Sequence, residues 1–202
     1  MPTYGPSNAT ADTFLSKFHN TTNYNSNTVA DIAAPFSNVA NRALLQFDVS
    51  TIPTGAVVSS ATIAARIVVS SGPTGNFIVY PVTRQPTFSQ CTWNVYSTGN
   101  NWTTAGGDYD ASFGDTIAFQ ATATPFDHNW SVPISVQKAL TSYRQGSNII
   151  LIARCASEAG GGTGTYYVST IDGVQEATLT VVYTTGHSWP LNRARLGMPR
   201  RR

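Results

Sequence analysis

Ala61-Thr62-Ile63-Ala64-Ala65-Arg66-Ile67-Val68-Val69 is the stretch on which the fold class turns. Ala61, Ile63, Ala65, Ile67 and Val69 fall on one side, and Thr62, Ala64, Arg66 and Val68 on the other. A period of two residues is that of a strand with one face buried, because successive side chains of an extended chain point to opposite sides. The same pattern returns in 176–183, where Ala177, Leu179, Val181 and Tyr183 oppose Glu176, Thr178 and Thr180. It returns again where Leu45, Phe47 and Val49 alternate with Gln46 and Asp48.

Further strands are predicted at 12–17, 28–33, 76–83, 116–121, 128–132, 148–155 and 165–170, each bounded by Gly, Pro, Asn or Ser. Ile149-Ile150-Leu151-Ile152 is apolar on both faces, so it belongs inside a sheet with something covering each side. About ten short strands with turn-rich spacers predict an all-β fold, an antiparallel β-sandwich of jelly-roll type. One short helix is expected at Val136–Tyr143, where Val136, Ala139, Leu140 and Tyr143 share a face and Gly146 follows. It would close one end of the sandwich.

The composition agrees. Only 11% of the 202 residues are charged, against about 25% in typical soluble domains, while 41% are hydrophobic and 11% aromatic. That excludes a charged helical bundle and disorder driven by charge repulsion. Residues 1–185 hold seven Lys and Arg against ten Asp and Glu, a balance of −3, whereas 186–202 hold five Arg and no acid. The chain therefore reads as an N-terminal extension (1–10), a sandwich domain (11–185) and a basic, extended C-terminal arm (186–202). In that arm Trp189, Leu191, Leu196 and Met198 stand as apolar anchors among Arg193, Arg195, Arg200, Arg201 and Arg202, and Pro190 and Pro199 oppose a helix. Such an arm suits the groove of a neighbouring protein with acidic patches. Nucleic acid is disfavoured because no basic folded face continues the charge, and a membrane surface because an amphipathic helix is missing.

No run approaches the ~18 apolar residues of a membrane span, and Met1–Pro6 has neither the basic nor the apolar region of a secretory signal. Synthesis and folding in the cytoplasm are expected on that basis. Cys91 and Cys155 are read as free, partly buried thiols. Asn-x-Ser/Thr triplets begin at Asn8, Asn20, Asn101 and Asn129, as a chain so rich in these residues produces by chance.

Catalysis finds little support. His19, His128 and His187 lie far apart and none accompanies a nucleophile signature; no carboxylate pair stands out as a glycosidase pair. The chain is read as non-enzymatic. Asp108-Tyr109-Asp110 offers two carboxylates in a Gly-rich loop, chemistry suited to Ca²⁺, with Asp115 as a third ligand. Solvated carboxylates capping turns is the favoured reading, and no cofactor is expected. The long segment Gln85–Gly114 carries Trp93, Tyr96, Trp102, Tyr109 and Phe113. Loops of this length are functional or organised by their own aromatic residues. Trp93 is expected to pack beneath the loop, while Trp102, Tyr109 and Tyr96 are candidates for stacking on sugar rings.

The order of landmarks resembles the DNRLRE domain family, a β-sandwich group related to carbohydrate-binding modules. The segments that carry it are Ala11-Asp12-Thr13-Phe14-Leu15, Thr22-Asn23-Tyr24, Asn41-Arg42-Ala43-Leu44-Leu45-Gln46-Phe47-Asp48-Val49, Ile52-Pro53 with Gly55, and Val58-Ser59-Ser60-Ala61-Thr62-Ile63. Cys91-Thr92-Trp93-Asn94, Trp102, Ala105-Gly106-Gly107-Asp108 and the final strand Ala177–Tyr183 continue it, over roughly 11–184. The resemblance implies a jelly-roll-like sandwich of the kind found in cell-surface polysaccharide-binding proteins and in phage virion proteins, with no fixed set of functional residues. The expected function is a structural protein of a bacteriophage virion, a capsid decoration or cement protein or a head–tail accessory. Its arm would dock on the major capsid protein or a neighbouring subunit, and a trimer is the expected oligomer. The alternative is a carbohydrate-binding module, extracellular or at a cell surface, that attaches to polysaccharide through Trp102 and Tyr109.

Overall fold

Each predicted strand forms, and most extend beyond the residues that alternate. The computed structural model describes residues 1–33, 40–71, 75–119, 126–158, 165–169 and 176–185; the side chains of 68–71, 75, 119, 126 and 165–169 fall outside that description. The arm 186–202, with all its anchors, also lies outside the described residues. In chain order the strands are β1 (Thr3–Ser16), β2 (Val29–Ala33), β3 (Asn41–Asp48), β4 (Ala56–Ser71), β5 (Gly75–Pro81), β6 (Val95–Ser97), β7 (Asn100–Asn101), β8 (Asp115–Phe119) and β9 (Phe126–Ser131). Helix α1 (Pro133–Ser142) follows, then β10 (Asn148–Cys155), β11 (Thr165–Ser169) and β12 (Thr178–Thr185).

Among the described residues all strand pairings are antiparallel and one short helix is present, and the fold is an antiparallel β-sandwich. One layer is built on β9, β4 and β12, the other on β3, β10, β5 and β8. β1 belongs to both: Thr3–Asn8 pair with β12, and Ala9–Ser16 pair with β3 after a register shift between Ala9 and Ala11. Residues 3–10 are therefore the first half of a sheet strand and not an extension. Ala9 is buried and its N–H bonds Ala177 O at 2.8 Å, pairing that local alternation does not reveal. β11 and β2 link the far end of β4 to β3, so the path nearly closes.

The interior follows the period-two reading. Ala61, Ile63, Ala65 and Ile67 of β4 are buried, as are Ala177, Leu179, Val181 and Tyr183 and, on β3, Leu45 and Phe47. Thr62, Ala64, Arg66, Thr178, Thr180 and Gln46 are half-buried. These inward side chains meet Phe14, Ile32, Phe77, Trp130 and Leu151 in one cluster between the layers.

Helix α1 begins three residues earlier than its apolar spacing predicts. Pro133 occupies the first turn, where its missing N–H costs nothing. The Asp115 carboxylate of β8 accepts from the N–H groups of Ile134 (3.3 Å) and Ser135 (2.7 Å) and from Ser135 Oγ (2.6 Å). A carboxylate at a helix N-terminus satisfies free amides and complements the helix dipole. Val136, Ala139 and Leu140 face the core. Gln137 spans the free edge of β4, accepting from Val58 N–H (2.7 Å) and donating to Ala56 O (3.2 Å). Both cysteines are free thiols, and burial pushes each up to about 12, so neither is a nucleophile at neutral pH.

Candidate functional site

The doubly apolar reading of Ile149–Ile152 locates the site. Ile149 and Leu151 enter the core between the layers, while Ile150 and Ile152 point the opposite way with Leu44 of β3 and Leu15 of β1. An apolar outer sheet face must be covered. The segment that follows β5 covers it, laying Val82, Cys91, Trp93 and Trp102 on those residues as a second core.

Polar bonds pin this cover. Asn23 Nδ2 donates to the carbonyls of Phe88 (2.8 Å) and Cys91 (2.6 Å), and Trp102 Nε1 donates to Thr92 O (2.9 Å). Arg42, at an outward position of β3, is the main tie. Its guanidinium forks onto Glu158 (2.9 and 2.7 Å), donates to Gly106 O (2.7 Å) and lies over Trp93 and Tyr109, 4.7 and 5.5 Å from the ring centroids. Gly106 has φ +92°, and a Cβ there would stand 2.7 Å from both the Arg42 guanidinium and the Trp93 ring, so no other residue fits. Beside them Tyr80 and Tyr109 stack at 4.9 Å. Arg154 donates to Tyr109 Oη (2.7 Å) and pairs with Glu158 (3.1 Å). Burial opposes the charge on Arg154, but Glu158 and Tyr109 outweigh it and hold its pKa above the ordinary value. Burial raises the Tyr80 phenol despite Arg154.

At the edge of this platform an open groove of about 480 Å³ is lined by Thr83, Arg84, Thr103, Thr104, Gly107, Asp108, Tyr109 and Ala111. Asp108 is buried and fully engaged: the N–H groups of Thr103 (3.0 Å) and Thr104 (2.9 Å) and Arg84 Nε (3.0 Å) all point at its carboxylate. Arg84 lies over Tyr96 at 5.0 Å yet is 45% exposed, so part of its guanidinium faces the groove. The surface thus offers an aromatic ring, threonines and a braced guanidinium. That set matches a polyhydroxylated ligand, whose C–H faces stack on rings and whose hydroxyls exchange hydrogen bonds.

The sequence candidates divide. Tyr109 lines the groove, and Trp93 packs under the loop as expected. Trp102 is only 4% exposed and its indole N–H is already bonded, so it is no platform; the apolar outer face of β3 and β10 draws it inward. Tyr96 is half-buried, tilted against Trp102 at 5.7 Å and capped by Arg84. The three carboxylates named for Ca²⁺ are not brought together. Asp108 organises the loop, Asp115 caps α1, and Asp110 accepts from Tyr143 Oη (2.7 Å) and Ser112 N–H (3.1 Å) with Lys138 at 4.0 Å. The Tyr143 bond lowers the Asp110 pKa and raises that of Tyr143. Of the two carboxylates read as solvated, Asp108 is buried and satisfies backbone amides, while Asp110 is half-buried. Among the described residues no group of three or more His, Cys, Asp or Glu could hold a metal ion. His19 is exposed and His128 half-buried, while His187 lies outside the described residues.

Arg42, Arg154, Glu158, Tyr80 and Arg84 were not singled out by sequence reading. A signal was present for two of them: Arg42 and Arg154 are the cations on outward faces otherwise apolar at Leu44, Ile150 and Ile152.

The sequence model of carbohydrate-binding module family 96 matches residues 3–112. The chain belongs to that family. No curated protein matches it. The family 96 match runs from β1 through the covering segment and takes in every residue that lines the groove. Family 96 is a family of binding modules, and its matched region ends before β8 and helix α1.

Proposed function

We propose that this protein is a non-catalytic module that holds acidic or neutral polysaccharide in the groove bounded by Tyr109, Arg84, Thr83 and Thr103. The observation that carries this reading is the groove itself, polar and aromatic together, placed wholly inside the stretch matched by carbohydrate-binding module family 96. Tyr109, stacked on Tyr80 and with Arg42 over its ring, supplies the aromatic edge of the groove, and Arg84, braced by Asp108, supplies directed donors. A glycan array followed by titration of the best ligand tests it. Tyr109→Ala is expected to weaken binding at least about tenfold, the scale of a lost aromatic contact of about 1.5 kcal/mol. Because Tyr109 also stacks on Tyr80, Thr103→Ala at the groove rim is measured beside it, with a smaller loss expected. Full affinity in both variants, or a protein that retains no glycan, overturns the proposal.

A second reading rests on the charge division, a −3 body carrying a +5 arm. We infer on that ground a DNRLRE-type member in a bacteriophage virion, a capsid decoration or head–tail accessory protein. The sandwich would project from the particle, and Trp189 and Leu191 would be buried against the major capsid protein or a neighbouring subunit, in a trimer or other symmetric oligomer. Both roles fit one molecule that also grips glycans on a host surface. Deleting 186–202 is expected to abolish incorporation into particles while the domain keeps its thermal transition; normal incorporation of the truncated protein defeats the reading.

A further inference from the structure

Asp31 of β2 and Asn41 at the start of β3 are 6% and 8% exposed and touch through a short hydrogen bond from Asn41 Nδ2 to Asp31 Oδ2. Among the described residues the other oxygen of each, Asp31 Oδ1 and Asn41 Oδ1, is buried with no hydrogen-bond partner. Two buried acceptors without a donor are costly. A single proton removes both defects, because a protonated carboxyl and a primary amide are complementary in two places. We propose that Asp31 carries a proton in the folded protein and closes an acid–amide ring with Asn41, a clasp between β2 and β3 that rising pH opens.

In that ring Asp31 Oδ1–H donates to Asn41 Oδ1 while Asn41 Nδ2–H donates to Asp31 Oδ2. On opening, the proton leaves to solvent, Asn41 Oδ1 loses its donor, and a charge remains in a site closed to water. The clasp matters because, among the described residues, β2 and β3 share a single backbone register pair, Ala33 with Asn41. Burial raises the Asp31 carboxyl to about 6, and the Asn41 bond offsets this only in part. Titratable and charged groups stand on the neighbouring strands. Cys155 of β10 is pushed up to about 12; beyond it Glu158 is neutralised by Arg42 and Arg154. On β11 the register partner of Asp31 is Tyr167. On β1 Asn41 pairs with Ser16, and the nearest acid of that strand is Asp12. A divalent cation is the competing occupant, but Ca²⁺ takes 6–8 oxygen ligands, and this pair offers two free oxygens.

The sign follows from proton binding. Between the ordinary carboxylate range and about pH 6 the folded state holds a proton that the unfolded chain has lost, so stability falls as pH rises through that window. A displacement of about two pH units corresponds to a roughly hundredfold change in the folding equilibrium. Asp31→Asn keeps both hydrogen bonds without a titratable proton. Its transition temperature is expected to exceed that of the parent at pH 7.5 and to match it at pH 4. His128, whose pKa burial lowers, acts in the opposite direction in both proteins and cancels in the comparison. In the unsubstituted protein the Asp31 carboxyl ¹³C resonance is expected to titrate near pH 6. A midpoint below about 4.5, or an identical pH slope in Asp31→Asn, overturns the clasp. So does full recovery of stability at pH 7.5 on adding CaCl₂, which would assign the two oxygens to a cation.

Discussion

Arg42→Ala is expected to cost about 3–5 kcal/mol and to release the covering segment from the sheet, the scale of breaking a buried ion pair by removing one partner. Four partners lose their contacts together. Among the described residues Glu158 keeps Arg154, the Gly106 carbonyl loses the Arg42 donor, and the rings of Trp93 and Tyr109 lose the cation that lies over them. Arg42→Lys recovers little, because an ammonium cannot fork onto a carboxylate and bond a carbonyl at once. Urea unfolding read by tryptophan fluorescence and limited proteolysis of 82–113 check the result. A loss below about 1 kcal/mol, the level of an exposed pair, with no new cleavage, would mean that the second core alone holds the cover.

Trp130→Ala is expected to destabilise by about 3–5 kcal/mol as well, through a cavity between the layers and not through a lost polar tie. Trp130 is fully buried, pairs in register with Ile63 and meets Phe77 edge to face, with centroids 4.8 Å apart at 69°. Among the described residues its indole N–H has no hydrogen-bond partner. Trp130→Phe should therefore cost far less than Trp130→Ala, since it keeps the ring contact and removes an unsatisfied donor. Equal losses in the two variants would mean that the ring contact with Phe77 does not carry the stabilisation. Denaturant midpoints at unchanged m-value distinguish these outcomes.

Alternation was enough to place the core. The inward set of β4, β12 and β3 is buried as the period of two requires, and Ile149–Ile152 is covered on both sides. What alternation could not supply is the identity of the cover. Trp102 and Tyr109 look equivalent in a Gly-rich loop, yet one is buried with its N–H bonded and the other lines the groove. Asp108, Asp110 and Asp115 look like one cluster, yet each serves a different backbone or side-chain donor. Sequence spacing of a few residues in an irregular segment says little about direction, because each turn re-aims the side chains.

By itself the sequence determined the antiparallel sandwich, its inward faces, the short helix and the separation of a weakly acidic body from a basic arm, since periodicity and composition are local and additive. Only the tertiary structure decided that residues 3–10 complete a sheet and that Arg42 fastens the cover through Glu158, 116 residues away. It alone brought Asp31 and Asn41 together and set the groove between Arg84 and Tyr109. Those contacts join distant segments whose proximity is set by strand pairing and burial, and no local pattern encodes which partner a buried charge will find.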